Sequence, residues 1–357
     1  MPLIEAIVEC PAHASFRVRQ VAGMFDVPLA DKCREQFSAE VPGLDEPWTI
    51  GAIVGPSGSG KSTVARQAFG DALHEASDWP PDRAVIDAFD ERLSTKQIAQ
   101  ALTAVGFSSP PSWIKPYRIL SGGEQFRCDL ARVLLSERPL AAFDEFSSVV
   151  DRTAAQIGAA AVSKAIRSGK LGRRFVAVTC HYDVLAWLEP DWVLDMATRH
   201  LAWGRLRRGE LRLQIYRTRR SAWRVFERHH YLSGQLAPSA RCFVGFLDET
   251  PVAFAGFLPS IGHVGVRRVS RLVVLPDYQG IGIGSRFLAE VSKLVHADGQ
   301  RVTITTSHPA MIAHLGRSPL WTIRAIKRTG SSPHGGRNRR DITSRGRAVV
   351  SAEFRGD

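Results

Sequence analysis

Two glycine-rich stretches of the sequence carry residues spaced to hold phosphate. The first, "GPSGSGKST", matches GxxxxGK[ST] in full at Gly55, Gly60, Lys61 and Ser62. Glycines let backbone N–H groups turn inward around phosphate oxygens, with Ser57, Gly58 and Thr63 completing the cradle. On that reading Lys61 reaches the β- and γ-phosphates of ATP, and the Ser62 hydroxyl ligates Mg²⁺. Downstream, "RPLAAFDEFSSVVDR" is an apolar segment ending in Asp144 and Glu145. Asp144 is suited to hold Mg²⁺ through water, and Glu145 to polarise an attacking water. The second stretch is "PDYQGIGIGSRF", residues 276–287. Reading Gly282-Ile-Gly284 as the start of a dinucleotide GxGxxG puts Phe287 where the third glycine belongs, so a Rossmann site is not expected. The better pattern is Q-x-x-G-x-G at Gln279, Gly282 and Gly284, with Gly280 and Ser285 in the same turn.

Each loop needs a strand before it and a helix after it. "WTIGAIV" predicts a buried strand over Thr49–Val54, with a helix starting near Lys61. "RRVSRLVVL" predicts a strand over Val269–Leu275, followed by a helix over about Ser285–Val295. Phe287, Leu288, Val291, Leu294 and Val295 recur at helical spacing on that segment. "ARCFVGFLD" and "PVAFAGFLP" upstream read as further strands.

With 357 residues, 44% apolar and 23% charged, the chain has material for two globular domains. No apolar run is long enough to span a membrane, and "MPLIEAIVEC" lacks the basic start of a signal peptide. The five cysteines are widely spaced without CxxC, so neither disulfides nor zinc is expected and a cytoplasmic location fits. Charge is uneven: residues 1–200 hold 21 Lys+Arg and 25 Asp+Glu, residues 201–357 hold 26 and 10, and −4 plus +16 gives the net +12. That break places a domain boundary near residue 200, and the basic half suits a polyanion such as nucleic acid.

The first half resembles the ATP-binding cassette (ABC) ATPases over roughly residues 15–200. The resemblance rests on the phosphate loop, "LSGGEQ" at Leu120–Gln125, the Asp144–Glu145 strand, Ser148–Asp151 and "VTCHYD". It implies that Leu120–Gln125 is the signature, Ser148–Asp151 the D-loop, and His181 the switch histidine at the γ-phosphate. It also implies that Ser121 and Gly123 contact ATP held by another protomer's phosphate loop, giving an ATP-dependent homodimer. The short interval between phosphate loop and signature implies a reduced helical subdomain. Gln97 and Gln100 are candidates for the Q-loop glutamine, and Phe25 for the adenine-stacking ring.

Around residues 221–328, Q-x-x-G-x-G in its strand–helix setting resembles the acyl-CoA loop of the GCN5-related N-acetyltransferases (GNAT). The resemblance implies that Gln279, Gly280, Gly282, Gly284 and Ser285 hold the pyrophosphate of acetyl-CoA or another acyl-CoA. The strand before the loop lacks the Glu that often acts there as general base. "SHPAMIAH" resembles the family's N-x-x-A-x-x-x-Y helix, with Ser307 and Ala310 matching and His314 in place of the Tyr that protonates the departing thiolate. His229, His230 and Tyr231 in "ERHHYLSG" form a candidate acceptor rim, His230 a catalytic candidate, and His263 a weaker one. "HHYLSG" before a basic domain is also similar to GNAT-like DNA-modifying proteins of phages.

The expected fold is therefore α/β: an ABC-type P-loop domain (1–200), a basic linker (201–220), a GNAT-like α+β acyltransferase domain (221–328) and a basic tail (329–357). The expected function is an ABC-type ATPase coupled to an N-acyltransferase acting on DNA or RNA. The alternatives are an ABC-type nucleic-acid clamp with a non-catalytic GNAT fold, or a protein or small-molecule N-acetyltransferase gated by ATP.

Overall fold

A computed structural model describes residues 3–11, 15–26, 29, 32–74, 78–169, 172–206, 210–230, 235–329 and 347–356. Its contacts divide the chain into two compact units, Met1–Asp78 with Val133–Arg208, and Trp79–Arg132 with Gly209–Asp357.

The first unit opens with β1 (Leu3–Pro11), α1 (Phe16–Met24) and β2 (Lys32–Glu40), the strands pairing antiparallel. β3 (Ile50–Val54), α2 (Lys61–Phe69) and β4 (Leu73–His74) follow. The chain then carries α3 (Thr95–Ala104), α4 (Pro110–Trp113) and α5 (Gly122–Leu135), which belong to the second unit as far as Arg132. β5 (Leu140–Phe143), α6 (Arg152–Arg167), β6 (Arg174–Thr179), α7 (Leu185–Leu188), β7 (Trp192–Asp195) and β8 (His200–Trp203) complete the first.

The six-stranded sheet of this unit runs β4-β5-β6-β3-β7-β8, parallel except for the β7–β8 pair. All five residues of β3 are buried, as an apolar run without alternation requires of a parallel strand covered on both faces. At Gly51 a Cβ would overlap the ring of Trp192, itself fully buried and edge-on to Trp48 at 5.5 Å. Because β3 lies between β6 and β7, the loop leaving its C-terminal end starts from the middle of the sheet. α6 is capped by Asp151, whose carboxylate accepts the Ala154 N–H at 2.9 Å, an interaction typically worth about 1 kcal/mol.

The second unit adds β9 (Leu213–Thr218), α8 (Trp223–Phe226), β10 (Arg241–Leu247), β11 (Thr250–Pro259), β12 (Val266–Val274), α9 (Ile283–Ala297), β13 (Arg301–Thr306), α10 (Pro309–Arg317), β14 (Trp321–Thr329) and β15 (Arg347–Phe354). Its seven-stranded sheet runs β14-β15-β13-β12-β11-β10-β9. Only the β12–β13 pair is parallel, and its register covers Val266–Val269 against Arg301–Ile304. Phe287, Leu288, Val291 and Val295 of α9 pack into a core with Phe243, Phe257, Val302 and Phe354.

Three stretches named from sequence have the following structure. The stretch read as a basic tail contains β15, inserted between β13 and β14 with Val350, Ala352 and Phe354 buried. Its alternation is short and follows an arginine-rich run, which hid it. The stretch read as a linker supplies β8 in part and β9, the latter paired with β10. Residues 79–132, assigned from sequence to the ATPase domain, make their contacts within the second unit. Among the described residues, no helix is long and apolar enough to cross a membrane.

Candidate functional site

The phosphate loop joins β3 to α2, and Lys61, Ser62 and Thr63 form the first turn of the helix. Four N–H groups at a helix start have no intrahelical partner, so this turn points donors and positive dipole at an anion. Lys61 Nζ donates to the Pro56 carbonyl at 2.8 Å, closing over the loop, while Ser57 and Gly58 lie exposed at its tip. Ser62 Oγ donates to Asp144 Oδ1 at 3.0 Å, and the Glu145 N–H donates to the same oxygen at 2.9 Å. A hydroxyl beside a carboxylate offers hard oxygen donors of the kind that Mg²⁺ takes, so Ser62 and Asp144 are the residues that would hold it.

Glu145 and Ser147 stand in the left-handed region, at φ 50° and 72°. For residues with a Cβ that conformation costs about 1–2 kcal/mol each, and it concentrates strain on the turn that follows β5. Ser147 is fully buried, and its hydroxyl lies 3.2 Å from His181 Nδ1. The His181 N–H donates to Thr179 Oγ1 at 3.1 Å, which fixes the residue just beyond β6. Burial, and then the Arg152 guanidinium, hold the His181 imidazole below its ordinary pKa, against the opposing pull of Asp183. Glu145, His181, Asp144 and the phosphate loop thus gather at the C-terminal ends of β3, β5 and β6. Asp151, expected in the D-loop, caps α6.

The "LSGGEQ" segment begins α5 in the second unit. Ser121 is exposed, and its N–H and Oγ both engage Glu124 Oε2, at 3.0 and 3.2 Å. Glu124 Oε1 accepts from Ser112 Oγ at 2.9 Å. Gln97 accepts from the Ser94 N–H at 3.0 Å in the capping box of α3, and Gln100 is exposed on the same helix. Phe25 follows α1 and is 72% exposed.

In the second glycine loop, Gly280 and Gly282 have φ of 91° and 101°, and Gly282 is the residue from which α9 starts. L-residues avoid that region, so the turn needs glycine there. The first N–H groups of α9 have no intrahelical partner, as at the start of α2. Gly284 is constrained differently: a Cβ there would come 3.2 Å from Val274 Cγ2, so part of its smallness serves helix–strand packing. Ser285 Oγ donates to the Gly282 carbonyl at 3.1 Å. Beyond Val269 and Ile304 the parallel pairing stops, although β12 continues to Val274 and β13 to Thr306. The last residues of β12 and β13 are therefore not paired with each other just before the loop.

The Gln279 side chain has partners of its own. Its Oε1 accepts the Ser108 N–H at 3.1 Å and its Nε2 donates to the Val274 carbonyl at 2.9 Å, so the side chain braces the loop. His314 is half-buried on α10, a helix packed on β14 and α3. His230 sets its ring 5.7 Å from that of Trp223, His229 Nε2 accepts from Arg228 Nε at 3.0 Å, and His263 is exposed. Tyr231 lies outside the described residues. Sequence reading missed His308, whose Nε2 lies 3.3 Å from the Ser108 carbonyl and whose pKa burial pulls down. It missed Arg127 as well, buried beside Asp277. Both contacts join residues too far apart in the chain for one sequence to reveal.

Comparison with known proteins bears on part of the second unit. Residues 203–314 match the acetyltransferase (GNAT) family. The matched stretch runs from the end of β8 into α10 and includes the second glycine loop. None of the curated proteins matches the chain. Among solved structures, it is similar to an IAA acetyltransferase from Bacillus cereus, at 14% identity and TM-score 0.32, over 40% of this chain and 99% of that one. It is similar to a Bacillus subtilis acetyltransferase solved with CoA, at 13% identity and TM-score 0.30, over 41% and 98%. The dimeric structure of a bacterial ABC transporter cassette matches at 17% identity and TM-score 0.36, over 45% of this chain and 87% of that one. TM-scores of this size add no weight. The strand orders show an α/β chain in which each glycine loop opens a helix, the family match covers residues 203–314, and the ABC resemblance rests on the sequence motifs.

Proposed function

We propose that the chain is an ATP-binding, ATP-hydrolysing cassette that controls a fused acyl-CoA-dependent N-acyltransferase, with nucleic acid as the acceptor. The observation that supports this reading is the pair of glycine loops that each open a helix. Each glycine loop leaves a strand and opens a helix, and each has its own neighbours: Asp144, Glu145 and His181 for the first, the unpaired ends of β12 and β13 for the second.

In the first site the loop N–H groups and Lys61 hold the phosphates, while Ser62 and Asp144 hold Mg²⁺, which would neutralise charge on the transferring phosphoryl group. Glu145 orients water, and His181, gripped at Nδ1 by Ser147, turns its other nitrogen to the γ-phosphate. Ser121 and Gly123 close over the nucleotide of a second copy. In the second site the N–H groups from Gly280 to Ser285 hold the pyrophosphate of acetyl-CoA or a related acyl-CoA. An acceptor amine attacks the thioester carbonyl, the C–S bond breaks, and His314 protonates the leaving thiolate. His230, backed by Trp223, takes the amine proton. Phosphate contacts along the arginine-rich second half hold the polynucleotide.

One observation favours a second reading, a clamp whose GNAT fold binds without transferring: β12 carries no carboxylate in any of its nine residues. Incubation with labelled acetyl-CoA, Mg-ATP and separate pools of DNA, tRNA and protein distinguishes them. Label in a nucleic-acid pool is the expected result. Label in protein alone overturns the acceptor class, and no label despite acetyl-CoA binding supports the clamp.

A further inference from the structure

Within the second unit, a single side chain bridges the two motifs assigned to different ligands. Arg127 lies in the second turn of α5, with only 1% of its side chain exposed. Its Nη1 donates to the carbonyl of Gly123 in the signature at 3.2 Å and to Asp277 Oδ1 at 3.4 Å, and Nη2 reaches the same carboxylate oxygen at 3.4 Å. Asp277 stands two residues before Gln279, at the entry to the acyl-CoA loop. A second contact lies alongside. The Ser108 N–H donates to Gln279 Oε1, and the Ser108 carbonyl lies against His308 Nε2 at the start of α10. Gly106 has φ 87°, and a Cβ there would sit 2.6 Å from the Gln279 carbonyl oxygen. Two backbones meet there at a distance that only glycine allows.

A guanidinium buried to this degree is costly to desolvate, and its hydrogen bonds to the Gly123 carbonyl and to Asp277 offset part of that cost. The pair therefore holds Gly123 and the loop entry as one polar unit: any displacement of the signature must carry Asp277 with it or break the bridge. Gln279 and Ser108 extend the unit to the loop and to the helix that bears His314.

We infer that Arg127 and Asp277 are positioning residues that couple nucleotide engagement at the signature to acyl-CoA binding at the second glycine loop. The inference rests on the two-ligand reading above. If ATP bound across two copies favours one position of Gly123, the loop is favoured in one position too, and by linkage acyl-CoA changes ATP affinity by the same factor.

The test uses the full chain in a Glu145→Gln background, which holds ATP unhydrolysed, and measures acetyl-CoA affinity by calorimetry with and without Mg-ATP. Nucleotide should change the acetyl-CoA Kd by about fivefold or more. With Asp277→Asn added, the change should shrink below about twofold, while the nucleotide-free Kd and the ATP-induced change in size persist. Asp277→Glu should restore the coupling. Asp277 is half exposed, so Asp277→Asn is expected to fold. An undiminished change in Asp277→Asn overturns the inference, as does a parent protein that binds both ligands independently. Loss of nucleotide-free affinity in Asp277→Asn also overturns it, since the role would then be structural. A parent that binds no acetyl-CoA at all refutes the proposed function itself, and this inference with it.

Discussion

Lys61 and Glu145 divide binding from hydrolysis at the first loop. Lys61→Ala removes the only charged group in the GKS turn and should abolish ATP binding. Glu145→Gln should retain ATP and trap a dimer, because Ser121 and Gly123 of one copy then remain closed on the nucleotide of the other. Sizing chromatography with Mg-ATP checks both, and a Glu145→Gln protein that keeps its nucleotide-free size rules out the trans arrangement. At the second loop, His314→Ala should leave acetyl-CoA binding intact and slow transfer by about a hundredfold or more. An unchanged single-turnover rate would remove His314 from the chemistry. The two loops were legible as strand–turn–helix segments because GxxxxGK[ST] and Q-x-x-G-x-G gather their glycines in a short stretch of chain. Gln279 shows where such reading stops: its place in the pattern is local, but its partner Ser108 comes from 171 positions away.

Elements were legible where burial imposes a pattern. β3 reads as an unbroken apolar run because it is covered on both faces, and α9 as a helix because Phe287, Leu288, Val291 and Val295 share one side. β15 was not legible, since its inward residues form a short alternation without turn signals that single it out. Yet it joins β13 to β14, and Glu353 on it binds Arg301 Nε at 2.7 Å and Arg324 Nε at 2.9 Å. The Arg301 hydrogen bond, with Arg324 in support, lowers the Glu353 pKa from its ordinary 4.5 despite burial. A carboxylate depressed in the folded state contributes stability that is complete above its unfolded pKa and lost as pH falls through the folded one. The melting temperature should therefore decline below pH 4.5, and Glu353→Gln should lower it at neutral pH and flatten that part of the decline. A variant with the wild-type acid profile would show that the triad adds nothing to the sheet.

At the scale of the whole molecule, the charge break near residue 200 was visible in composition, whereas the membership of residues 79–132 in the second unit was not. That assignment depends on contacts such as Arg127 to Asp277, which no local pattern announces. Net charge also leads to a test of the acceptor. Replacing Arg337, Arg339 and Arg340, which lie outside the described residues, with Gln should weaken nucleic-acid binding across sequences and flatten its salt dependence, because phosphate contacts carry little sequence information. Equal affinity at low salt would remove that segment from the binding surface. The central claim is that one chain holds two different phosphate-bearing ligands in two glycine loops, and calorimetric titration of acetyl-CoA into wild type and Gly282→Val tests it most directly. Wild type should bind with heat that CoA competes away, and Gly282→Val should lose at least about tenfold in affinity, roughly 1.4 kcal/mol, while still binding ATP. Absence of heat and of CoA competition in wild type would contradict the claim and leave the second loop a structural turn.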